Sequence, residues 1–129
     1  GLYHSYCPKQ GIITYEVHAD PIELGVDFAI PCGIIINELF TDALKHAFPP
    51  DLGYPGTMKI SMGIAGKNYR LIVTDDGKGF ADGLDPRKTD SLGYTLVDLF
   101  VKQLSGTMKI TKKKGVSVTI EFPVPKNKK

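Results

Sequence analysis

Residues 31–50 read PCGIIINELFTDALKHAFPP, and the spacing of their apolar side chains predicts the first helix of the fold. Apolar residues recur there at steps of three and four, which is typical of an amphipathic helix. They are Cys32, Ile35, Ile36, Leu39, Phe40, Ala43, Leu44 and Ala47. Proline is favoured in a first turn, so we expect the helix to begin near Pro31. The two prolines at positions 49 and 50 end it.

The same helix carries a second stripe, which is polar. Glu38, Asp42, Lys45 and His46 are linked by steps of three and four, and Asn37 lies at the edge of the stripe. We expect this stripe to lie opposite the apolar one. Two acids, a lysine and a histidine can hold a metal ion, contact phosphates and polarise a nucleophile. A solvated helix face with ion pairs is the alternative interpretation.

Alternating patterns on both sides of this helix predict strands. They cover residues 11–19, 58–64, 69–73, 107–111 and 116–122, and the last four form two hairpins. A second helix is expected from Gly93, with Gly106 past its end. The order is strand, helix, hairpin, loop, helix, hairpin, which predicts a two-layer α+β sandwich.

A glycine turn follows the strand that ends in LIVT. It reads Asp75-Asp76-Gly77-Lys78-Gly79. A carboxylate at a strand end can accept a hydrogen bond from an exocyclic amine, such as that of adenine. The two glycines let the backbone turn sharply and approach a flat ring. A plain Asp-Gly turn is the alternative.

A second glycine turn lies where a loop meets a helix. Residues 80–92 lack periodicity and predict a mobile loop, and residues 91–96 read SLGYTL. Free backbone N–H groups and the helix dipole favour phosphate at such a terminus. A simple helix cap by Ser91 is the alternative.

Composition sets the class of protein. The chain has 129 residues, 42% hydrophobic and 23% charged, with a net charge of +2, as expected for one globular domain. The basic residues at 112–114 and 126–129 are interpreted as a solvated turn and tail, which argues against a nucleic-acid surface. Cys7 and Cys32 have no metal spacing and indicate no disulfide scaffold, so an intracellular, cytoplasmic compartment is expected.

Domain organisation follows from the same survey. We expect residues 1–10 to be a remnant of an upstream region, because the chain starts without Met. Residues 11–125 form the domain and residues 126–129 a basic tail. No apolar run approaches the ~20 residues that span a membrane, and no signal peptide is present. We therefore expect no membrane contact by this chain, although the parent protein can be membrane-attached.

Taken together, the helix and the two glycine turns resemble the N box and the two glycine boxes of a known ATPase superfamily. DNA gyrase, heat-shock chaperone ATPases, mismatch-repair ATPases and sensor histidine kinases share these boxes. IPCGIIINELFTDALKHAFP resembles the N box of one histidine kinase subgroup, which reads close to NELVTNALKHAFP. DPRKTDSLGYTLV and GVSVTIEFP resemble its second glycine box and its closing strand. The resemblance covers nearly all of residues 13–123.

The resemblance implies a fold and a set of functional residues. The fold is the Bergerat ATP-binding fold, in which helices cover one face of a mixed, mostly antiparallel sheet. Asp75 would bind the adenine amine, while Gly77 and Gly79 shape the pocket. The phosphates would lie near two groups of residues. These are Asn37, Lys45 and His46 in the N box, and Gly93, Tyr94, Thr95 and Leu96 in the second glycine box. The loop at residues 80–92 would be the ATP lid.

The resemblance also implies the catalytic and metal-binding residues. Glu38 matches the residue that orients or activates a nucleophile in hydrolysing relatives, and Lys45 would assist phosphoryl transfer. Asp42 stands where the family has the Asn that binds Mg²⁺; a carboxylate is also a good Mg²⁺ ligand, but it adds a negative charge beside the triphosphate. Val116 stands where the family has Thr, so a hydroxyl that helps to fix the adenine is missing.

The implied function is that of the catalytic domain of a two-component sensor histidine kinase with ATP and Mg²⁺ as cofactors. It would present the γ-phosphate to a histidine on an upstream helical dimerisation domain, for relay to a response-regulator receiver. His4, His18 and His46 do not resemble phosphoacceptors, so the chain alone should not autophosphorylate. The alternatives are a nucleotide-sensing or pseudokinase module, an ATPase that uses Glu38 as a base, and an anti-sigma type Ser/Thr kinase.

Overall fold

A computed structural model of the chain describes residues 2–6, 13–19, 24–46, 56–77, 92–113 and 115–124. Six strands and two helices lie in these ranges. In chain order they are β1 (Leu2–Tyr6), β2 (Ile13–Ala19), α1 (Val26–His46), β3 (Gly56–Ala65), β4 (Asn68–Asp75), α2 (Leu92–Gln103), β5 (Thr107–Lys113) and β6 (Gly115–Pro123). The loop predicted over residues 80–92 lies outside the described residues except at Leu92. Neither described helix is long and apolar enough to cross a bilayer.

The six strands form one sheet in the order β1-β2-β3-β4-β6-β5. β2 and β3 are parallel, and every other neighbouring pair is antiparallel. A parallel pair needs a crossover connection, and α1 lies in that connection. The prediction of a mixed, mostly antiparallel sheet in an α+β sandwich is confirmed.

The pairing register brings one row of apolar side chains from four strands onto the same face of the sheet. Ile60 of β3 is opposite Val73 of β4, which is opposite Val118 of β6, which is opposite Ile110 of β5. The neighbouring row contains Leu71 and Ile120, both fully buried. Because side chains alternate between the two faces of a strand, this face forms the core and the other carries mostly polar residues.

Both helices pack against this core face. The buried residues of α1 are Cys32, Ile35 and Leu39, and those of α2 are Tyr94, Val97 and Val101. The helices also pack against each other. At about 25 cal/mol per Å² of apolar surface removed from water, this single core is the main source of stability.

The first helix begins earlier than its sequence indicates. α1 starts at Val26 rather than near Pro31, and the carbonyl of Gly25 accepts hydrogen bonds from the N–H groups of Phe28 (3.0 Å) and Ala29 (2.9 Å). Pro31 therefore lies inside the second turn. The extra turn is held by packing, because the ring of Phe28 stacks on Phe122 at a centroid distance of 5.5 Å. The prediction of the helix start was wrong because that contact is tertiary.

The N-terminal segment contributes an edge strand. β1 pairs antiparallel with β2, with Leu2 opposite Val17 and Tyr6 opposite Ile13. The described residues 2–6, which the sequence assigned to an upstream remnant, therefore belong to the same sheet as β2. The domain boundary at residue 11 stays a prediction.

The second helix ends in a Schellman motif. The N–H of Gly106 donates to the carbonyl of Val101 (2.9 Å), and that of Ser105 donates to the carbonyl of Lys102 (3.0 Å). The left-handed residue of this motif is Ser105, with φ of 58°, and not the glycine that follows. A Cβ on Gly106 would lie 2.6 Å from the carbonyl oxygen of Glu121. Gly106 is therefore present for space against β6.

Candidate functional site

Asp75 is the last residue of β4, and its side chain lies on the core face of the sheet. The alternation of β4 buries Tyr69, Leu71 and Val73, and the same alternation buries Asp75, which is 8% exposed. The Oδ1 atom of Asp75 accepts hydrogen bonds from the backbone N–H groups of Gly77 (3.0 Å) and Val116 (3.3 Å). No described residue donates to Oδ2. One carboxylate oxygen is thus held by the main chain.

The electrostatic surroundings of Asp75 oppose its charge. Burial raises the pKa of the Asp75 carboxyl, and the two backbone N–H donors lower it in part. The negative charges of Asp76 and Asp42 raise the pKa further. A partner that donates hydrogen bonds to this carboxylate would relieve the cost of its burial.

Asp42 is a second buried carboxylate beside the first. It is 6% exposed, and it follows Cys32, Ile35 and Leu39 at steps of three, four and three along α1. The expectation that Asp42 lies in a polar stripe opposite the apolar one is therefore wrong. Asp42 continues the buried stripe, because the line of core residues runs past the hydrophobic layer to the end of β4. The charge of Asp42 acts on both Asp75 and Tyr94.

Tyr94, in the first turn of α2, completes this cluster. It is 4% exposed, and burial raises the pKa of its phenol above the ordinary value of about 10. The charges of Asp42 and Asp75 raise that pKa further, in that order. Three residues from α1, β4 and α2 therefore converge at one end of the core.

The remaining predicted residues surround the cluster to different degrees. Gly77 is buried, Glu38 and Leu96 are half-buried, and Asn37 and Thr95 are exposed. Asn37 is not brought into the cluster. Lys45 and His46 lie in the last turn of α1, but their side-chain positions are outside the described part of the structure. Gly93 lies in the first turn of α2. Gly79 lies outside the described residues.

Asp76 joins the glycine turn to the neighbouring strand. Its Oδ1 atom accepts a hydrogen bond from the N–H of Thr57 (2.7 Å), and its own N–H donates to the Thr57 carbonyl (3.1 Å). The start of β3 therefore fixes the backbone directly after Asp75. This role distinguishes the two adjacent acids, since Asp75 faces the core and Asp76 is exposed.

Sequence reasoning missed the contribution of Gly115. This residue begins β6 with φ of 115°, and a Cβ there would lie 2.1 Å from the carbonyl oxygen of Asp75. It also precedes Val116, whose N–H holds Asp75. The available signal was a glycine directly before the alternating residues of the last strand.

A profile of one protein family matches this arrangement. The family is described as histidine kinase-, DNA gyrase B- and HSP90-like ATPases, and the match covers residues 29–126. The chain belongs to this family. The match runs from α1 through α2 to the end of β6, so it includes the three elements that supply the buried cluster. The predicted ATP-binding domain of the histidine kinase type is confirmed.

Individual relatives of this histidine kinase-like ATPase domain are themselves named as histidine kinases. Blue-light-activated histidine kinase 2 of Erythrobacter litoralis is 29% identical over 120 residues, which is 92% of this chain and 34% of that protein. Sensor histidine kinase PdtaS of Mycobacterium tuberculosis is 32% identical over 108 residues, or 79% of this chain and 21% of that protein. The chain thus spans 34% of one relative and 21% of the other.

Solved structures agree with the fold. The histidine kinase domain of the E. litoralis EL346 blue-light activated histidine kinase has a TM-score of 0.77 and 29% sequence identity. The similarity covers 86% of this chain and 51% of that one.

Proposed function

We propose that this domain binds ATP with Mg²⁺ and presents the γ-phosphate to a histidine on a separate helical dimerisation domain of the same protein. The observation that carries the proposal is the buried Asp75 carboxylate, held at Oδ1 by two backbone N–H groups beside Asp42 and the start of α2. An acceptor so placed suits a neutral donor such as an amine.

The adenine end of the nucleotide is assigned to the turn after β4. Oδ2 of Asp75 is the acceptor for the exocyclic amine, and Gly77 and Gly79 leave room for the ring. Val116 supports this end through its main chain, since its N–H donates to Asp75. The missing hydroxyl at position 116 therefore does not remove the support of Asp75.

The phosphate end is assigned to the two helices. The N-terminus of α2, which begins at Leu92, presents free backbone N–H groups from Gly93 and Tyr94, with Thr95 and Leu96 directly after them. Helix termini of this kind favour phosphate. Lys45, at the end of α1, adds positive charge, and His46 beside it can donate a hydrogen bond to a phosphate. Asn37 and Glu38 lie on the same helix. Glu38 is the candidate for orienting the nucleophile.

The donor set fits Mg²⁺ held jointly with phosphates. No group of three His, Cys, Asp or Glu side chains forms a metal site within the described ranges. Mg²⁺ commonly binds through one or two carboxylates together with substrate phosphates and water. Asp42 is the residue that would hold it, and the metal would neutralise charge on the phosphates during transfer.

Phosphoryl transfer then requires mainly positioning and charge neutralisation from this chain. The proposed partners are the helical domain that supplies the histidine and a response-regulator receiver that accepts the phosphoryl group, in the cytoplasm. His4 and His18 lie in strands β1 and β2, which supply none of the buried residues Asp42, Asp75 and Tyr94.

Titration of Mg²⁺-ATP into the wild-type chain and Asp75→Asn tests the site. Loss of the carboxylate should weaken binding by about tenfold or more, because a charge-assisted hydrogen bond is lost. Asp98→Asn is the matched control, since Asp98 pairs with Lys102 on the surface of α2 (2.9 Å) and should leave the affinity unchanged. Absence of saturable binding by the wild type at millimolar nucleotide would overturn the proposal and favour a module that does not bind nucleotide.

Incubation with labelled ATP tests whether the phosphoacceptor histidine lies on a separate domain. The chain alone should acquire no stable phosphohistidine, whereas transfer should occur when the helical domain is supplied. Stable labelling of this chain alone would contradict the assignment of the nucleophile to another domain.

A further inference from the structure

Gly115 meets Asp75 more closely than any residue with a side chain could. A Cβ at position 115 would lie 2.1 Å from the Asp75 carbonyl oxygen, 2.9 Å from its carbonyl carbon and 3.0 Å from its Oδ1 atom. Two of these three atoms belong to the backbone of β4, so a rotamer change cannot relieve the clash. The backbone itself would have to move.

The conformation of Gly115 excludes a side chain independently of space. Its φ of 115° lies in the region that residues with a Cβ rarely adopt. Gly115 therefore combines a crowded position with a backbone conformation that a residue with a side chain could adopt only under strain.

The group placed by Gly115 is the N–H of Val116. Residue 116 follows Gly115 directly, and its N–H donates to Oδ1 of Asp75 at 3.3 Å. The ordinary β4–β6 register ends one position earlier, with Thr74 opposite Ser117. At the next position, the N–H of Val116 in β6 donates to the Asp75 side chain and not to a backbone carbonyl of β4.

We propose that Gly115 is the positioning residue for base recognition. By lacking a side chain, it lets β6 approach β4 closely enough for Val116 to hold Oδ1, which turns Oδ2 toward the exocyclic amine of the base. This inference rests on the proposed function, since it assigns Asp75 to adenine. It makes the discrimination between purines depend on a glycine that acts through Val116 and Asp75.

Two other glycines provide matched controls. Gly66, in the β3–β4 turn, also has a positive φ (63°), but nothing lies within 4 Å of a Cβ built there. Gly106 has the crowding without the positive φ, since its Cβ would lie 2.6 Å from the Glu121 carbonyl oxygen. Gly106 packs against the opposite end of β6. An alanine at position 66 therefore tests the effect of the positive φ alone, and an alanine at position 106 tests the effect of crowding alone. Neither position lies against Asp75.

The test measures the affinity of the 129-residue chain for Mg²⁺-ATP and for purine riboside triphosphate, which lacks the exocyclic amine. The wild type should prefer ATP by about tenfold or more, the factor expected for a charge-assisted hydrogen bond. In Gly115→Ala this preference should fall to about threefold or less, mainly through weaker ATP binding. Gly66→Ala and Gly106→Ala should keep the wild-type preference even where they lower the melting temperature.

Each failure has its own signature. If the wild type binds neither nucleotide, the proposed function is wrong. If the wild type prefers ATP and Gly115→Ala prefers it equally, the proposed function stands and the role of Gly115 is wrong. Equal losses of preference in all three alanine variants would show a general structural effect, and would also refute the role.

Hydrogen exchange covers the case in which Gly115→Ala does not fold. The Val116 amide of the nucleotide-free chain should be protected, and Asp75→Ala should reduce that protection by about tenfold relative to the amides of Val118 and Ile120. Unchanged exchange at Val116 would show that its N–H does not hold Asp75, and the proposal would fall.

Discussion

Asp42 of α1 and Asp75 of β4 are buried at the same end of the core, and the negative charge of Asp42 raises the pKa of Asp75. Two carboxylates so placed repel each other, and burial strengthens the repulsion by excluding water. The charge of Asp42 therefore adds to the cost of ionising the buried Asp75 carboxyl, and a hydrogen-bond donor to Asp75 would lower that cost.

Asp42→Asn should tighten ATP binding measured without Mg²⁺, by about threefold to tenfold. The change removes a charge beside the triphosphate and also removes the repulsion on Asp75. Calorimetric titration of ATP in EDTA and in Mg²⁺ measures the affinity of each chain without and with the metal. Equal or weaker binding in Mg²⁺, together with a smaller effect of the metal on affinity, would identify Asp42 as a working metal ligand. Asp98→Asn again serves as the control.

Tyr94→Phe should make the free energy of unfolding decline less steeply at alkaline pH. The folded-state pKa of Tyr94 lies above its ordinary value of about 10, so the folded chain binds its phenolic proton more tightly than the unfolded chain does. Stability from this group is complete below pH 10 and is lost as pH rises toward the folded-state pKa. Urea unfolding at pH 8 and above pH 10 should show a smaller decline for Tyr94→Phe than for the wild type.

The buried thiol of Cys32 titrates in an overlapping range, because burial raises its pKa from 9.0 to about 11. Cys32 is present in both chains, so its contribution cancels in the difference between them. An identical pH dependence for the two chains would contradict the raised pKa of Tyr94 and therefore its burial beside the carboxylates.

Ser105→Gly should stabilise the fold by about 0.5–1 kcal/mol, or a few degrees in melting temperature. Ser105 occupies the left-handed position of the Schellman motif, where a side chain costs about 1–2 kcal/mol, and the greater freedom of glycine in the unfolded chain offsets part of the gain. Ser105→Ala keeps the Cβ and should give no gain. Ser105 follows the C-terminal end of α2, whereas Tyr94 lies in the first turn of that helix, so ATP affinity should not change.

Phe28→Ala should cost about 2–4 kcal/mol of unfolding free energy. The ring stacks on Phe122 with an interplanar angle of 11° and meets Tyr69 edge-on at a centroid distance of 5.9 Å. Urea denaturation measures the loss. Val26→Ala, in the same turn of α1 but 69% exposed, should stay within about 0.5 kcal/mol of the wild type. Similar losses from both variants would show that the first turn is not held by this aromatic contact.

Local patterns predicted most of the elements but not how they meet. Periodicity gave α1 and α2, and alternation gave the two hairpins, because each pattern reflects one buried face of one element. The parallel pairing of β2 with β3 has no local signal. β1 was also missed, because a five-residue strand has little local pattern and is held in place by its pairing with β2.

The site shows a similar division. Asp75, Gly77 and Tyr94 were predicted from glycine turns, and the structure places them at one end of the core. The orientation of Asp42 was not predicted, because a charged residue in an apolar stripe was assigned by polarity to the opposite face. Gly115 was missed because the feature that makes it necessary is the main chain of a strand distant in sequence.

α1 lies in the connection between the parallel strands β2 and β3, and this has a consequence for how the proposed nucleotide site forms during folding. The β3–β4 and β5–β6 hairpins close between sequence neighbours, whereas joining β2 to β3 requires the chain to fold back across α1, a slower closure with a larger entropic cost. Asp42 reaches Asp75 only when α1 has docked. A nucleotide that contacts both residues therefore binds only the fully folded chain. By mass action, it raises the free energy of unfolding by about 2.7 kcal/mol when its concentration is a hundred times the dissociation constant.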